Sequence, residues 1–262
     1  MAADLYDELD PLYRAIWGDS LHHGLWVQGS ESIQEARENL AELVLAALPS
    51  TGTIADIGCG YGTLAHRLAT TGRYRVLANT HSPVQAARIP SHPALDVRCG
   101  DWLAQSLPPH SLDAAIAVES LSYFPSFDRF LDHTGSALKP GSRLVIADWY
   151  SDHGTSALLR RLASVGDLPP WRPLASLLAS ARDKNWRVVE TRKLSALVAP
   201  TWSKLFRRSL LTPFRHPRLL PLLFRQARMR PFLLPALPLL RLAYHTGDLA
   251  YHLVVLEKQV SR

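Results

Sequence analysis

The sequence predicts an α/β protein with a doubly wound, mostly parallel sheet of seven strands, the last of them antiparallel. Three observations indicate this class. Short apolar runs alternate with segments of helical periodicity between residues 51 and 194. The first apolar run leads directly into three glycines at every second position, in the stretch TIADIGCGYGT of residues 53–63. One further apolar run, DLAYHLVVLEKQ, follows a long insertion and completes the sheet.

Each predicted element has its own signal. Strands are expected at the short apolar runs, which are residues 53–58, 75–80, 95–101, 112–120, 143–150, 186–194 and 248–259. Helices are expected between them, at residues 63–72, 82–89, 127–142 and 171–185. Ser82 stands where an N-cap belongs, with Pro83 at the first helical position. Pro140 and Gly141 are expected to end the third of these helices.

Two segments lie outside this alternation. Residues 1–50 predict a helical N-terminal cover, whose second helix begins near Ser30 and whose link DSLHHGLWVQG is rich in aromatic residues and histidine. Residues 195–247 predict a helical lid, basic and rich in leucine and proline. The expected organisation is therefore a cover at 1–50, a core at 51–194, the lid at 195–247 and a final core strand at 248–262.

The bulk composition fits one such domain. The chain has 262 residues, of which 47% are hydrophobic and 20% charged, enough for a full core. The acidic start MAADLYDELD resembles no secretory signal, and the apolar segment PFLLPALPLLRL is too short to span a bilayer. Cys59 and Cys99 are interpreted as reduced thiols. These features favour a cytoplasmic protein.

The formal net charge of +6 comes from one segment. Between Glu190 and Asp248 the chain has 11 basic residues and no acidic one, whereas the rest has 18 basic residues against 23 acidic ones. Leucine and proline are too abundant in this segment for a groove that binds phosphates, so nucleic-acid binding is not expected. The mixture favours an amphiphilic or anionic acceptor or peripheral contact with a membrane surface, with a plain solvated face as the alternative.

The glycine spacing distinguishes between nucleoside cofactors. The dinucleotide fingerprint needs a third glycine one residue later than Gly62 and an acidic residue after the second strand, where this chain has Asn79 and Thr80. A phosphate-binding loop would need a Lys-Ser or Lys-Thr pair after the glycines, which is absent. The pattern D-x-G-x-G-x-G instead suits S-adenosylmethionine, whose amino-acid moiety and ribose must lie almost on the backbone.

Four successive stretches resemble the motifs of the class I S-adenosylmethionine-dependent methyltransferases, which are Rossmann-like. They are DIGCGYG, THSPVQAAR, GDWLAQSLPPHSLDAAIAVESLSYF and LKPGSRLVIADW. The N-terminal YDELDPLYRAIWGDSLHHGLW resembles, more narrowly, the γ-tocopherol and sterol C-methyltransferase group with its natural-product relatives. The resemblance covers about residues 1–150 and the final strand.

The resemblance implies a set of residues that bind S-adenosylmethionine. Asp56 would receive the methionine amino group, Asp101 would accept a hydrogen bond from the adenine, and Trp102 would neighbour the adenine ring. For Asp101 the alternative is a solvated loop residue, and for Trp102 it is simple core packing. The full set is Tyr13, Asp56, Gly58, Gly60, Thr80, Ser82, Gln85, Asp101, Trp102 and Glu119. No metal site is expected.

The resemblance also suggests where the acceptor reacts. Relatives often have a histidine as base where this chain has Tyr123, so His22, His23 and Asp148 become the candidates for proton removal. For Asp148 the alternative is a structural role at the end of its strand. The acceptor pocket is expected between the cover and the lid, with these four residues and Trp26 directed into it.

Three functions follow from the sequence. The first is in-line methyl transfer to the carbon, oxygen or nitrogen of a small lipophilic or secondary-metabolite acceptor. The second is a methyltransferase fold that catalyses a step without methylation, such as a cyclisation. The third is a membrane-associated binding module built around the lid.

Overall fold

The computed structural model of the chain describes residues 2–152, 156–166, 171–229 and 233–259. These residues form one seven-stranded sheet with the order β3-β2-β1-β4-β5-β7-β6. The strands are β1 Gly52–Ile57, β2 Tyr74–Thr80, β3 Leu95–Cys99, β4 Leu112–Val118, β5 Leu138–Ser151, β6 Trp186–Lys193 and β7 Leu249–Lys258. The pairs from β3 to β5 are parallel, and β7 runs antiparallel to both β5 and β6. The predicted sheet is confirmed, including the direction of its last strand.

Helices cover both faces of the sheet. They are α1 Ala2–Trp17, α2 Ile33–Leu45, α3 Thr63–Thr70, α4 Pro83–Arg88, α5 Phe127–Ala137, α6 Ala157–Gly166, α7 Leu174–Asp183, α8 Ser195–Val198, α9 Pro200–Arg215, α10 Leu220–Met229 and α11 Leu233–Thr246. Neighbouring residues of β1 separate onto the two faces, since Ile54 packs in one buried cluster and Ala55 in the other. Such two-sided burial is typical of parallel strands.

The lid helices are part of the core. Leu205 of α9 and Ala243 of α11 are fully buried in the same cluster as Ile54 of β1. α9 packs against α11 and also against α1, so the lid joins the N-terminal cover to the sheet. The inner face of the lid is therefore buried, and only its outer face meets solvent. Phe232 and Arg230, both part of the predicted lid, lie outside the described residues.

The structure differs from the local expectations at three points. The helix after β4 ends at Ala137 and not at Pro140 and Gly141, because the fully buried Leu138 is extended and pairs with Leu112. Pro140 and Gly141 instead lie inside the irregular start of β5, where Gly141 has a φ of +79°. The second helix of the cover begins at Ile33 rather than at Ser30, because Ser32 is its N-cap and forms a capping box with Glu35. Helix α6 was not expected at all.

Candidate active site

The glycine loop between β1 and α3 has three backbone conformations that favour glycine. Gly58, Gly60 and Gly62 have φ values of +77°, +56° and +72°. A Cβ on Gly58 would overlap the side chain of Ser120, and one on Gly62 would lie 2.8 Å from Ile89. A Cβ on Gly60 would meet no described atom within 4 Å. The first and third glycines thus allow close packing of the protein itself, and the second faces open space.

Asp56 lies at the end of β1, beside this loop, and is 3% exposed. Its Oδ2 atom has no hydrogen-bond partner among the described residues. Burial raises the pKa of Asp56 to about 7, against the lowering effect of a hydrogen bond from the Ala65 amide. A buried carboxylate oxygen without a partner, next to an open loop, fits a cationic ligand group.

The polar residues that follow β2 form one buried cluster. Thr80 donates its hydroxyl to Oε1 of Gln85 over 2.7 Å, and Oγ of Ser82 accepts from the Gln85 amide at 3.0 Å. The Ser82 hydroxyl also donates to Asp7 of α1. Three of the residues that the resemblance implied are therefore brought together at the carboxyl end of the sheet, where doubly wound folds bind their ligands.

The N-terminal helix is fastened over this end of the sheet. Asp10, which is 3% exposed, accepts from the Tyr61 hydroxyl at 2.7 Å and forms a two-point ion pair with Arg88 at 3.1 and 2.6 Å. Tyr13 is half-buried and packs beside Leu9, in a cluster that includes Leu222 of the lid. Sequence reasoning missed Asp7, Asp10, Tyr61 and Arg88. The acidic spacing in DLYDELD was a signal for Asp7 and Asp10, although it does not reveal that Tyr61 and Arg88 are the partners of Asp10.

Asp101 and Trp102 follow β3 and have different surroundings. Asp101 is exposed and accepts a hydrogen bond from the Leu103 amide at 3.0 Å, which caps a short 3-10 helix. Trp102 is 1% exposed, and its indole nitrogen donates to Thr134 of α5 over 3.0 Å. This placement favours the core-packing interpretation of Trp102. The cap involves only Oδ1 of Asp101, so Oδ2 takes no part in it.

Glu119 lies just beyond β4 and is a junction between core, cover and final strand. Its backbone has a φ of +53°, uncommon for a residue with a side chain. Oε1 accepts from the His23 amide at 2.7 Å and from the Tyr251 hydroxyl at 2.9 Å. Burial raises the pKa of Glu119, but the proximity of His23 and the hydrogen bond from its amide outweigh that effect, so the net shift is downward. The carboxylate is therefore ionised at neutral pH.

His23 is enclosed by aromatic rings. It is 0% exposed and meets Trp149, Trp202 and Tyr244 edge-to-face, with ring centroids 5.4, 4.9 and 5.9 Å away. Nδ1 lies 2.9 Å from Oε1 of Glu119, an ion-pair distance without hydrogen-bond geometry. The ring thus joins Glu119 of the core to the lid.

His22 is half-buried and differs from its neighbour. Its Nδ1 lies 2.8 Å from the carbonyl oxygen of His23. Because a carbonyl can only accept, this contact assigns the proton to Nδ1 and leaves Nε2 with its lone pair. Burial lowers the pKa of His22, so the ring is neutral at neutral pH. A neutral ring with a basic nitrogen is what proton removal requires.

Asp148 of β5 is fully engaged with the backbone. Its Oδ2 accepts from the amides of Leu121 and Ser122, at 2.8 and 3.3 Å, and Oδ1 accepts from the Trp149 amide at 2.8 Å. Burial raises its pKa to about 8 against these donors. The contacts favour a structural role, in which Asp148 holds the 3-10 helix Leu121–Tyr123 and so positions the half-buried Tyr123.

A cavity of about 580 Å³ lies between the N-terminal helix and the lid, where the acceptor pocket is expected. Its lining residues are Pro11, Arg14, Ala15, Gly18, Asp19, Arg215, His216, Pro217, Arg218 and Leu219. The five residues expected to point into a pocket here are not in that lining. Trp26, one of them, is buried and donates to Thr201 of α9 over 3.1 Å.

Comparisons with known proteins agree with this geometry. A model of the methyltransferase domain family matches residues 55–146, which run from β1 into β5. A probable tocopherol O-methyltransferase of Oryza sativa is 27% identical over 79% of this chain and 65% of its own length. The 27-O-demethylrifamycin SV methyltransferase of Amycolatopsis mediterranei is 28% identical over 76% of this chain and 78% of its own.

The chain is a class I S-adenosylmethionine-dependent methyltransferase. Among solved structures, the cyclase SpnF superposes with a TM-score of 0.80 at 22% identity, over 99% of this methyltransferase and 96% of that chain, which supports the fold. S-adenosylmethionine fits the residues present: the unpartnered Oδ2 of Asp56 suits its ammonium group, and the open side of Gly60 admits close approach.

Two further observations concern ligands and membranes. In the described ranges, no group of three or more His, Cys, Asp or Glu side chains could hold a metal ion. Within the same part of this methyltransferase, no helix combines the length and the hydropathy needed to cross a bilayer.

Proposed function

We propose that this methyltransferase transfers the methyl group of S-adenosylmethionine to a small lipophilic acceptor. The aromatic enclosure around His23 carries the proposal, because it stands at the carboxyl end of β4 and consists of large apolar surfaces. Trp149 stacks on Trp202 at 5.7 Å, and Trp171 meets Trp149 edge-on at 5.3 Å. An acceptor site beside these rings would suit a ring or prenyl group better than a charged peptide. The tocopherol and rifamycin relatives are named for acceptors of this general kind.

The chain's own residues would bind and orient the cofactor. Asp56 would accept from the ammonium group, Gly60 would admit the amino-acid moiety, and Asp101 would accept from the adenine amino group. The buried Thr80, Ser82 and Gln85 would border the ribose. Tyr13 and Glu119 are the remaining proposed contacts, whereas the packing of Gly58 against Ser120 and of Trp102 against Thr134 favours structural roles for these two predicted contacts. S-adenosylmethionine, when bound, supplies a methyl carbon attached to a sulfonium. Holding the acceptor in line with that bond can contribute about 7–11 kcal/mol.

Removal of a proton from the acceptor would fall to His22. Its basic Nε2 and neutral ring support this role, whereas the carboxylate of Asp148 is engaged by three backbone amides. His23 and Tyr123 would border the acceptor instead. A positioned base contributes about 10²- to 10⁴-fold to rate. We therefore expect His22→Gln to lower kcat by that factor while the affinity for S-adenosylhomocysteine stays within about twofold of wild type.

A methyl-transfer screen tests the proposal. Purified protein is incubated with S-adenosylmethionine and quinols, phenols, amines or prenyl alcohols, and the product mass is measured. A gain of one methyl group, lost in Asp56→Asn, is the expected result. Conversion of an acceptor with unchanged mass and no S-adenosylhomocysteine formed would contradict methyl transfer and indicate a cyclisation.

The outer face of the lid supports a second, smaller proposal, that this face touches an anionic membrane surface. Phe214 and Phe224 are 83% and 72% exposed, large values for phenylalanine. The exposed Arg207 and Arg215 lie on α9 with Phe214, and the exposed Arg218 lies in the 3-10 helix Pro217–Leu219 between α9 and α10. The arginine guanidinium groups would bind anionic lipid headgroups, and the phenylalanine rings would contact the acyl chains below them.

A further inference from the structure

Arg37 is a buried cation on the inner face of α2. The residue is 5% exposed. Its Nη1 donates to the carbonyl oxygen of Trp17, the last residue of α1, and its guanidinium carbon lies 5.8 Å from the centre of the Trp17 ring. A Cβ on the adjacent Gly18 would lie 3.7 Å from the same Nη1. The guanidinium is therefore fixed in position by one of its nitrogens.

The other two nitrogens of the Arg37 guanidinium take no part in this contact. Nε and Nη2 are both buried and have no hydrogen-bond partner among the described residues. These two atoms form one edge of the planar guanidinium, and their N–H bonds are parallel. That edge is the fork by which arginine binds both oxygens of a carboxylate or phosphate.

Among the described residues, none forms an ion pair with Arg37. The pKa of Arg37 is lowered to about 10, mainly by burial and also by the nearby Arg208, while Glu119 acts in the opposite direction. Glu119 directs its Oε1 to His23 and Tyr251. Arg208 donates its Nε to the carbonyl oxygen of Ala15 over 3.1 Å, so two cations meet at the end of one helix.

Capping alone does not explain the arrangement. The stabilisation that a cation gains at a helix C-terminus is smaller than the free-energy cost of burying a charge without an ion pair. Capping also involves only Nη1, and the Nε–Nη2 edge has no hydrogen-bond partner among the described residues. An anion on that edge would balance both the charge and the hydrogen bonds.

We propose that the Nε–Nη2 edge of Arg37 binds a carboxylate of a ligand of this enzyme. The carboxylate comes from one of two sources. One is the methionine moiety of S-adenosylmethionine, because the link from Gly18 to His23 leads directly to Glu119. The other is an acidic group on the acceptor, because Ala15 and Gly18 also line the cavity between the N-terminal helix and the lid. The second source rests on the proposed function; the first does not.

Calorimetric titration of Arg37→Gln distinguishes the sources. S-adenosylhomocysteine carries the carboxylate, and 5′-methylthioadenosine lacks it. If the cofactor supplies the group, the variant loses about 10- to 100-fold in affinity for S-adenosylhomocysteine and none for 5′-methylthioadenosine. If the acceptor supplies it, S-adenosylhomocysteine binds as to wild type, while decanoate binds to the S-adenosylhomocysteine-saturated wild type and at least about tenfold more weakly to the variant.

Two controls keep the result interpretable. Arg208→Gln removes a donor to the same helix end and should change neither titration by more than about twofold, whereas an equal loss there would assign both arginines to capping. Arg37→Lys retains the charge without the fork and serves if Arg37→Gln does not fold, as judged by circular dichroism. Wild-type affinity of the Arg37 variant for S-adenosylhomocysteine and for decanoate overturns the proposal. Neither readout depends on methyl transfer, so failure here is separable from failure of the proposed function.

Discussion

At the scale of single residues, Asp56 connects cofactor binding to pH. Its pKa is raised by burial to about 7, so much of the free enzyme holds it protonated near neutrality. An ammonium group prefers the carboxylate. Affinity for S-adenosylhomocysteine should therefore rise with pH through about 7, by at most about tenfold per unit, and Asp56→Asn should remove the dependence. Titration calorimetry at several pH values measures both.

The same raised pKa affects stability in the opposite direction. Below the unfolded pKa of about 3.8 the group is protonated in both states and contributes nothing. As the pH rises from there to about 7, the unfolded chain ionises first, so the free energy of unfolding of the ligand-free enzyme falls. Asp56→Asn should flatten that part of the profile in urea unfolding. An unchanged slope in the variant would mean that Asp56 ionises normally in the fold.

At the scale of elements, two glycines of the loop are expected to have different roles, Gly58 in the stability of the fold and Gly60 in ligand binding. Gly58→Ala places a methyl group onto Ser120, so we expect a lower melting temperature. In Gly60→Ala the added methyl group meets open space. The free energy of unfolding should therefore fall only by the cost of a φ of +56° for alanine, which is about 1–2 kcal/mol. The larger effect of Gly60→Ala should be at least about tenfold weaker binding of S-adenosylhomocysteine. Gly72→Ala, with a similar φ and open space far from the loop, is the matched control. Equal binding by the Gly60 and Gly72 variants would refute the close approach.

Elements were predictable where local chemistry decides them. The run into Gly58 and the Ser82-Pro83 signal located β1 and α4 to within a residue, because caps and buried strands leave patterns in neighbouring residues. The start of β5 was missed, since Leu138 pairs with Leu112, which lies 26 positions away in the sequence, and no local signal reveals that pairing.

The site was predictable to the same extent. Asp56, Gly60 and the cluster after β2 could be named, because a motif carries them. The partners Asp10–Arg88 and Glu119–His23 could not, since each joins segments far apart in sequence. Arg37 has no motif either; only burial distinguishes it from any other helix arginine.

At the scale of the whole molecule, the lid face predicts membrane binding. Wild type should sediment with vesicles of phosphatidylglycerol and phosphatidylcholine, and less so at high salt. The double variant Phe214→Ser and Phe224→Ser should bind about tenfold more weakly, because apolar area is lost. Val27, which is 61% exposed outside the lid, provides the control Val27→Ser. Equal sedimentation of all three proteins would leave the lid as a solvated cover.

The position of β7 has a consequence for synthesis. β7 lies between β5 and β6, yet the ribosome makes β6 and the whole lid before it. β6 borders only β7, so a nascent chain lacking residues 249–258 has no partner for β6 and no second anchor for the lid. The strands that carry the cofactor loop, β1 to β4, are complete far earlier. The half proposed to bind the cofactor is therefore complete earlier in translation, while the half proposed to enclose the acceptor, with Tyr251 in β7, can close only after β7 has been made.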